Sequence, residues 1–307
     1  MLNFILRRLL GMIPILLIIT IIAFLFVHLT PGDPIRIMYG AEIDQETYQQ
    51  MRESEGFNDP LIVQYGRYMY NMTIQGDFGQ SYRTRSDVSD EVLRRFNYTF
   101  VLTILSMFWA ILIGVTVGII SATKRNSLVD RVGMISTITA LSIPEFWFGL
   151  MMMQVFAVQL GWFPTSGSGT WIHLILPSLT LGFGVAATIV RFTRSSVLEV
   201  LREDYVRTAR AKGQKESVVI WSHVLRNALI PVVTMAGLQF GFLIGGAVVV
   251  EQVFAWPGLG SYLIDGILTR DYPVIQALIL LFSLQFLIIN LLVDISYGFL
   301  NPQIRYE

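Results

Sequence analysis

Six apolar stretches, each long enough to cross a bilayer, constrain this chain more than any other feature. A helix needs about 20 apolar residues to pass the roughly 30 Å hydrocarbon layer, and in lipid its backbone groups must pair within the segment. Along the 307 residues these stretches are 9–28, 98–122, 134–160, 172–190, 229–250 and 274–299. Hydrophobic residues make up 53% of the chain and charged ones 14%, with mean hydropathy +0.58, which excludes an ordinary soluble domain. The expectation is an all-α membrane protein with six transmembrane helices.

The connecting segments set the organisation. Arg7 and Arg8 precede the first stretch, which has neither the short core nor the small-residue site of a cleavable signal, so 1–30 is expected to be a membrane helix. Thr30-Pro31-Gly32-Asp33-Pro34 should end it. Segment 31–97 is polar, and acids outnumber bases. Asp59-Pro60 reads as a cap and first helical position, and Leu61, Tyr65, Tyr68, Met69 and Met72 fall on one helical face. Gly76-Asp77-Phe78-Gly79 reads as a turn, and 89–96 as a separate helix entering the membrane. This piece is too short to hold its own core and is expected to be a small extracytoplasmic helical cap. Residues 98–299 form the transmembrane core, and 300–307 a tail. Within the core, Gly114-x-x-x-Gly118 and the run Gly237, Gly241, Gly245 permit close helix approach. The third stretch is interrupted at Ser142-Ile143-Pro144-Glu145. Loop 161–171 carries no charge but has Trp162 and Trp171, as suits an interface, and 251–273 is expected as the other short external loop. One side then carries fourteen Lys/Arg and the two short external loops carry one, so both termini should be cytoplasmic.

The longest charged segment inside the core is 191–231, an island with eight Lys/Arg and four acids. Its first part, 196–212, places Val197, Leu198, Leu201, Tyr205 and Thr208 on one helical face, and its second, 216–228, does the same with Val219, Ile220, Val224 and Leu225. Gly213 between them suggests a sharp turn, because glycine takes positive φ without steric cost. Such a loop could serve orientation alone. Two amphipathic runs exceed what orientation requires and suggest a dock for a cytoplasmic partner.

Chemistry is sparse elsewhere. The chain has no Cys, and its three His (His28, His173, His223) are scattered, so neither thiol chemistry nor a His-based metal motif is indicated. There is no G-x-x-x-x-G-K-[ST] loop to hold ATP, and a formal net charge of zero argues against nucleic acid. Glu145, Asp294, Asn290 and Gln239, with Gln154 and Gln285, are the polar groups placed in or beside spans. An ionisable group there is costly, roughly 2.5–3.5 kcal/mol on insertion scales, and faces a cavity or a partner. Glu145, Gln239, Asn290 and Asp294 are therefore candidates to line a translocation path. Alternatively, Glu145 satisfies backbone freed at Pro144 and Asp294 sits near the headgroups.

With these motifs placed, the chain resembles the type I inner-membrane permeases of ATP-binding-cassette importers, in the dipeptide/oligopeptide/nickel group. The resemblance rests on Pro31-Gly32-Asp33-Pro34, Gly76-Asp77-Phe78-Gly79, the run from Asp204 through Gly213, Leu225-Arg226-Asn227-Ala228-Leu229-Ile230-Pro231, Trp256-Pro257-Gly258-Leu259-Gly260 and Arg270-Asp271-Tyr272-Pro273. The run 237–242 and the ending Asn301-Pro302-x-Ile304-Arg305-Tyr306 look most like the glutathione-import branch. The family's coupling loop has the pattern E-A-A-x-x-x-G. Here Arg207-Thr208-Ala209-x-x-x-Gly213 departs at the first two positions, so the acidic residue's role does not carry over. The resemblance implies that the turn at Gly213 docks in a separate ATPase through Arg207, Thr208, Ala209, Arg210 and Lys212. It implies a second permease subunit, two cytoplasmic ATPases that bind ATP and Mg, an extracytoplasmic solute-binding protein, a bacterial inner membrane, and no cofactor in this chain. Short peptides or glutathione would be the cargo. Two other readings use the same acids: a proton-coupled secondary transporter relaying through Asp294 and Glu145, or an intramembrane hydrolase.

Overall fold

The structure, a computed structural model, describes residues 2–29, 33–39 and 42–300, with side chains from 5 to 295 within those ranges. Thr30, Pro31 and Gly32 of the expected breaker and the tail 301–307 lie outside the described residues.

Among the described residues the chain is helical throughout, with one isolated bridge between Gln80 and Asp87. Helix α1 (Leu2–Leu29) is the first crossing. Three short helices follow, α2 (Pro34–Tyr39), α3 (Gln45–Ser54) and α4 (Leu61–Tyr70). The Asp44 carboxylate caps α3 by accepting from Thr47 N–H at 2.9 Å. Pro60, not Asp59, holds the cap position of α4; the Asp59 side chain instead pairs with Arg67.

Helix α5 (Val88–Thr123) runs 36 residues, about 54 Å at 1.5 Å per residue. The sequence reading divided it at Asn97, but no Gly or Pro interrupts that junction, so the entry helix and the second span are one rod. Asp87 starts it, accepting from Ser89 and Asp90 N–H at 2.7 and 3.3 Å. Helix α8 (Ile175–Val200) packs along α5 at backbone distance. A Cβ on Gly114 or on Gly118 would lie 2.6 Å from Ile189 or Thr193 respectively, so glycine at both positions permits the approach. Helix α11 (Leu225–Val253) completes the central packing, in a core that includes Leu102, Ala110, Leu181, Ile189, Leu243, Ala247 and Trp256.

The third crossing is broken. Helices α6 (Leu128–Ser142) and α7 (Glu145–Met152, continued as a wide turn to Gln159) meet at 106°. Pro144 removes a donor and drives Ile143 into extended backbone at φ −83°, ψ 127°. Its two ends lie at opposite faces of the protein. Asp130 near the start of α6 binds Arg194 beside the island, whereas Gly167, just past the far end, donates to Phe254 O beyond α11. The broken pair therefore counts as a crossing, giving six.

Three sequence expectations need correction. Helix α8 continues ten residues past 190, and the chain turns at 201–203 before α9 (Asp204–Ala211) begins, so 196–212 is not one helix. That turn resets the helical phase: Val206 and Ala209 are buried, whereas Tyr205 and Thr208 face outward. The second island run is no separate helix either. From α10 (Glu216–Val218) it passes through a wide turn straight into α11, a continuous 38 residues. Finally, 251–273 is not a simple loop. Glu251 still belongs to α11, and α12 (Leu259–Thr269) lies between it and α13 (Tyr272–Leu300), the last crossing. Antiparallel to α13 runs α1, joined to it through Val27, Tyr272 and Ile275 at one end and by Arg8–Asp294 at the other.

Candidate functional site

At the island, α9 ends in a turn with paired carbonyls. Gly213 has φ +76°, its N–H donates to Arg210 O at 2.9 Å, and Gln214 N–H donates to Ala209 O at 3.4 Å. These two bonds and the left-handed glycine make a Schellman cap, which reverses the chain in three residues. Arg210 bridges the reversal to Glu216, with 3.1 and 2.6 Å contacts, and this neighbouring carboxylate pushes the guanidinium pKa further up. His223 and Gln214 add a 2.8 Å contact, and Asn227 donates to the Tyr205 hydroxyl at 2.8 Å. Beneath the turn, Val197, Val206, Ala209, Val219, Val224, Leu225 and Ala228 form a small buried cluster with Ala122.

The candidate coupling residues therefore divide. Gly213, Lys212, Thr208 and Arg207 are exposed at the outer surface, Arg207 making only a long 3.5 Å contact with Asp204. Arg210 is committed to Glu216, and Ala209 is buried in the cluster. A partner meeting this surface would touch the first four and the exposed Arg210–Glu216 pair.

The intramembrane candidates divide as well. Glu145, at the first turn of α7, and Gln239 on α11 line one cleft of about 260 Å³ between α6, α7, α8 and α11, with Thr180, Thr188, Gly184 and Gly246. Glu145 has no ion-pair partner among the described residues. The Thr180 hydroxyl is buried there without a hydrogen-bond partner. Asn290 and Asp294 are elsewhere, on α13, and Asp294 forms a 2.9 Å ion pair with Arg8 of α1. A cleft with one carboxylate, an amide and the Thr188 hydroxyl can hydrogen-bond a polar solute. Among the described residues no group of three His, Cys, Asp or Glu is placed to hold a metal.

Sequence reasoning missed three buried carboxylates. Asp130 accepts from Arg194 Nε and Nη2 at 2.6 and 2.8 Å and from Asn126 N–H at 2.9 Å, tying α6 to α8 at the island end. At the other end, Asp271 accepts from the Ser81 hydroxyl at 2.5 Å and Tyr82 N–H at 3.0 Å, fastening the 80–87 hairpin to the start of α13. Glu251 is fully buried. It accepts from the Thr99 hydroxyl at 2.6 Å and Ser261 N–H at 2.9 Å. A Cβ on Gly258 would lie 2.1 Å from its Oε1, which gives a steric reason for glycine in Trp256-Pro257-Gly258-Leu259-Gly260. The available signal was an acid seven residues before a glycine-rich run.

Two family descriptions match the chain: "Binding-prot-dependent transport system membrane comp, N-term" over residues 1–103, and "Binding-protein-dependent transport system inner membrane component" over residues 114–306. It is 55% identical to the glutathione transport system permease protein GsiC of Pectobacterium atrosepticum and 54% identical to that of Escherichia coli, in both cases over 307 residues and the full length of both chains. Among solved structures, it is similar to a chain of the MetNI methionine ABC transporter in an inward-facing conformation, with TM-score 0.58, 21% identity, and coverage of 68% of this chain and 96% of that one. An amino acid ABC transporter gives TM-score 0.55, 13% identity, and coverage of 68% and 94%. At such identities these two show the shared fold. The crossings, the broken third span and the matches over nearly the whole length agree: the chain belongs to the inner-membrane components of binding-protein-dependent transport systems and is a multi-pass permease subunit of a type I ATP-binding-cassette importer.

Proposed function

We propose that this chain forms half of a heterodimeric path for glutathione or short peptides, driven by two separate ATPases that bind ATP and Mg. The supporting observation is the Schellman turn at Gly213, which carries exposed Arg207 and Lys212 on a packed two-helix base beyond the membrane spans. A rigid base matters because a dock that transmits force must move as one body with α8 and α11. The island side is the cytoplasmic one by the positive-inside rule, with both termini on that side. On this reading the chain is not itself an enzyme and holds no cofactor. Glu145 and Gln239 face the solute, while Asn290 and Asp294 stand apart from that cleft. The cargo assignment rests on full-length similarity to relatives described as glutathione transport permeases. A solute-binding protein delivers the cargo on the far side.

The test uses the absence of cysteine in the chain. A Lys212→Cys variant is expressed with the neighbouring operon products, purified and treated with a short bifunctional crosslinker. The expected product joins this chain to an ATPase, in a complex that also holds a second permease and takes up glutathione in vesicles only with ATP inside. A chain that purifies alone and moves solute without ATP defeats the reading.

A further inference from the structure

Helix α4 presents its faces in the reverse order for a water-exposed helix. Of its two polar side chains, Gln64 turns inward, donating to Phe57 O and Asp59 O at 3.2 and 2.8 Å, while Arg67 stays exposed at the flank and pairs with Asp59. Its outer face carries Ile62 at 81% exposure, Val63, Tyr70 and, in the wide turn that follows, Ile74 at 70%. These positions recur at intervals of one, seven and four, with Gly66 between them, and form one stripe along the helix.

The inner face fixes the depth. The Tyr65 hydroxyl meets Thr20 Oγ1 of α1 at 2.9 Å, Phe24 packs edge-on against Tyr65 and tilted against Tyr68 with ring centroids 5.4 and 6.1 Å apart, and His28 meets Gln64 at 3.2 Å. Thr20 is nine residues from the end of α1, about 13 Å along a helix rising 1.5 Å per residue. A helix lying above the end of α1 could not reach so far down. Helix α4 therefore lies beside the last turns of a membrane-crossing helix whose own Ile18, Ile22 and Phe26 are exposed. Three tyrosines in ten residues suit the headgroup boundary, where an apolar ring and a polar hydroxyl are both satisfied.

We propose that α4 is an in-plane interfacial helix: Ile62, Val63, Tyr70 and Ile74 insert in the lipid leaflet on the side away from the island, continuous with the lipid-facing side of α1. Water is a poor occupant for this stripe, since apolar side chains gain free energy on leaving it. A second protein is disfavoured by position. Among the described helices α1 packs chiefly on α13, whereas the Glu145–Gln239 cleft lies between α6, α7, α8 and α11. The segment between the first two crossings thus leans on the bilayer as well as on the protein.

Because the chain lacks cysteine, single nitroxide labels can be placed at Ile62→Cys, Tyr70→Cys and Ile74→Cys in the assembled importer, held in nanodiscs of phosphatidylethanolamine and phosphatidylglycerol. Gln49→Cys on exposed α3 serves as the water reference and Ile22→Cys on α1 as the lipid reference. The expected result is a loss of collisions with a water-soluble nickel chelate and a gain in collisions with oxygen at 62, 70 and 74, moving from the Gln49 value toward the Ile22 value. Nickel-chelate collisions equal to those at Gln49 would place the stripe in water. Exclusion of both reagents would place it under another protein. Either result overturns the proposal, and neither bears on the coupling role of Gly213.

Discussion

Replacing Glu251 by leucine should destabilise the permease measurably, whereas glutamine should be tolerated. The carboxylate is fully buried and satisfies the Thr99 hydroxyl and Ser261 N–H. Thr99 also accepts from Leu259 N–H at 2.8 Å. In Glu251→Leu the hydroxyl can rotate to another acceptor, but the Ser261 amide cannot. A buried donor left unpaired costs about 1–3 kcal/mol, which sets the size of the loss. Glutamine keeps one acceptor for the amide and turns its NH₂ toward Thr99, whose oxygen has a second lone pair, so Glu251→Gln should lose less than about 1 kcal/mol. A loss of about 3 kcal/mol corresponds to a fall in Tm on the order of 5 °C for a chain of this size.

The assay is thermal unfolding of the purified complex in detergent, followed by intrinsic fluorescence at one scan rate. Trp256 is buried beside Glu251 and donates to Tyr98 O at 3.1 Å, so loosening of this loop changes its environment. A companion variant sharpens the test. Gly258→Ala should destabilise the parent, because its Cβ would overlap the Glu251 carboxylate, yet cost much less in a Glu251→Ala background, where that carboxylate is gone. Glu251→Leu melting with the parent, or Glu251→Gln melting as low as Glu251→Leu, would refute the hydrogen-bond argument.

Gly213→Asn should retain ATP-dependent uptake, since asparagine tolerates positive φ; Gly213→Val adds about 1–2 kcal/mol of strain at φ +76°, and uptake should fall while the amount of assembled complex is unchanged. Asp130→Asn and Arg194→Met should each destabilise by about 2–4 kcal/mol, and the double variant by less than their sum, since the single changes each strand one partner of a largely buried pair. Gly118→Ala should lower the melting temperature by an amount matching about 1–3 kcal/mol, because its Cβ would meet Thr193 Cβ at 2.6 Å and the Val190 carbonyl at 2.9 Å. Melting curves of the purified complexes decide the last two.

Local chemistry was legible in the sequence wherever it acts over a few residues. Pro144 marks the break in the third crossing, and Gly213 marks the island turn, because each residue type imposes its backbone without help from afar. The helical phase of α9 was not legible. Arg191 and Arg194 signal the end of the apolar span, but charge does not end a helix, and α8 continues to Val200 before the 201–203 turn shifts the buried positions from Tyr205 and Thr208 to Val206 and Ala209. Helix α12 was hidden for another reason: its 11 residues sit between two turn-rich motifs that read as a continuous loop. The partners of Asp294 and Asp271 lie 286 and 190 residues away, at Arg8 and Ser81, and no periodicity encodes such a pairing.

These long-range carboxylate contacts also bear on how the chain is driven. A proton relay needs a succession of titratable groups within reach of one another. Asp294 is already matched by Arg8 at the α1–α13 contact, and Asp130 by Arg194 at the island end. Glu251 and Asp271 hold loops together at the far end through backbone and hydroxyl donors. The cleft retains Glu145 beside an amide and hydroxyls, with no second titratable side chain in its lining. One carboxylate can bind or repel a solute, but it has no neighbour to pass a proton to. Rigid ends fastened by buried carboxylates and a centre packed through glycine suit a body that is moved as a whole. On the proposed reading the force enters from outside the membrane, through the turn at Gly213 and the packed base beneath it.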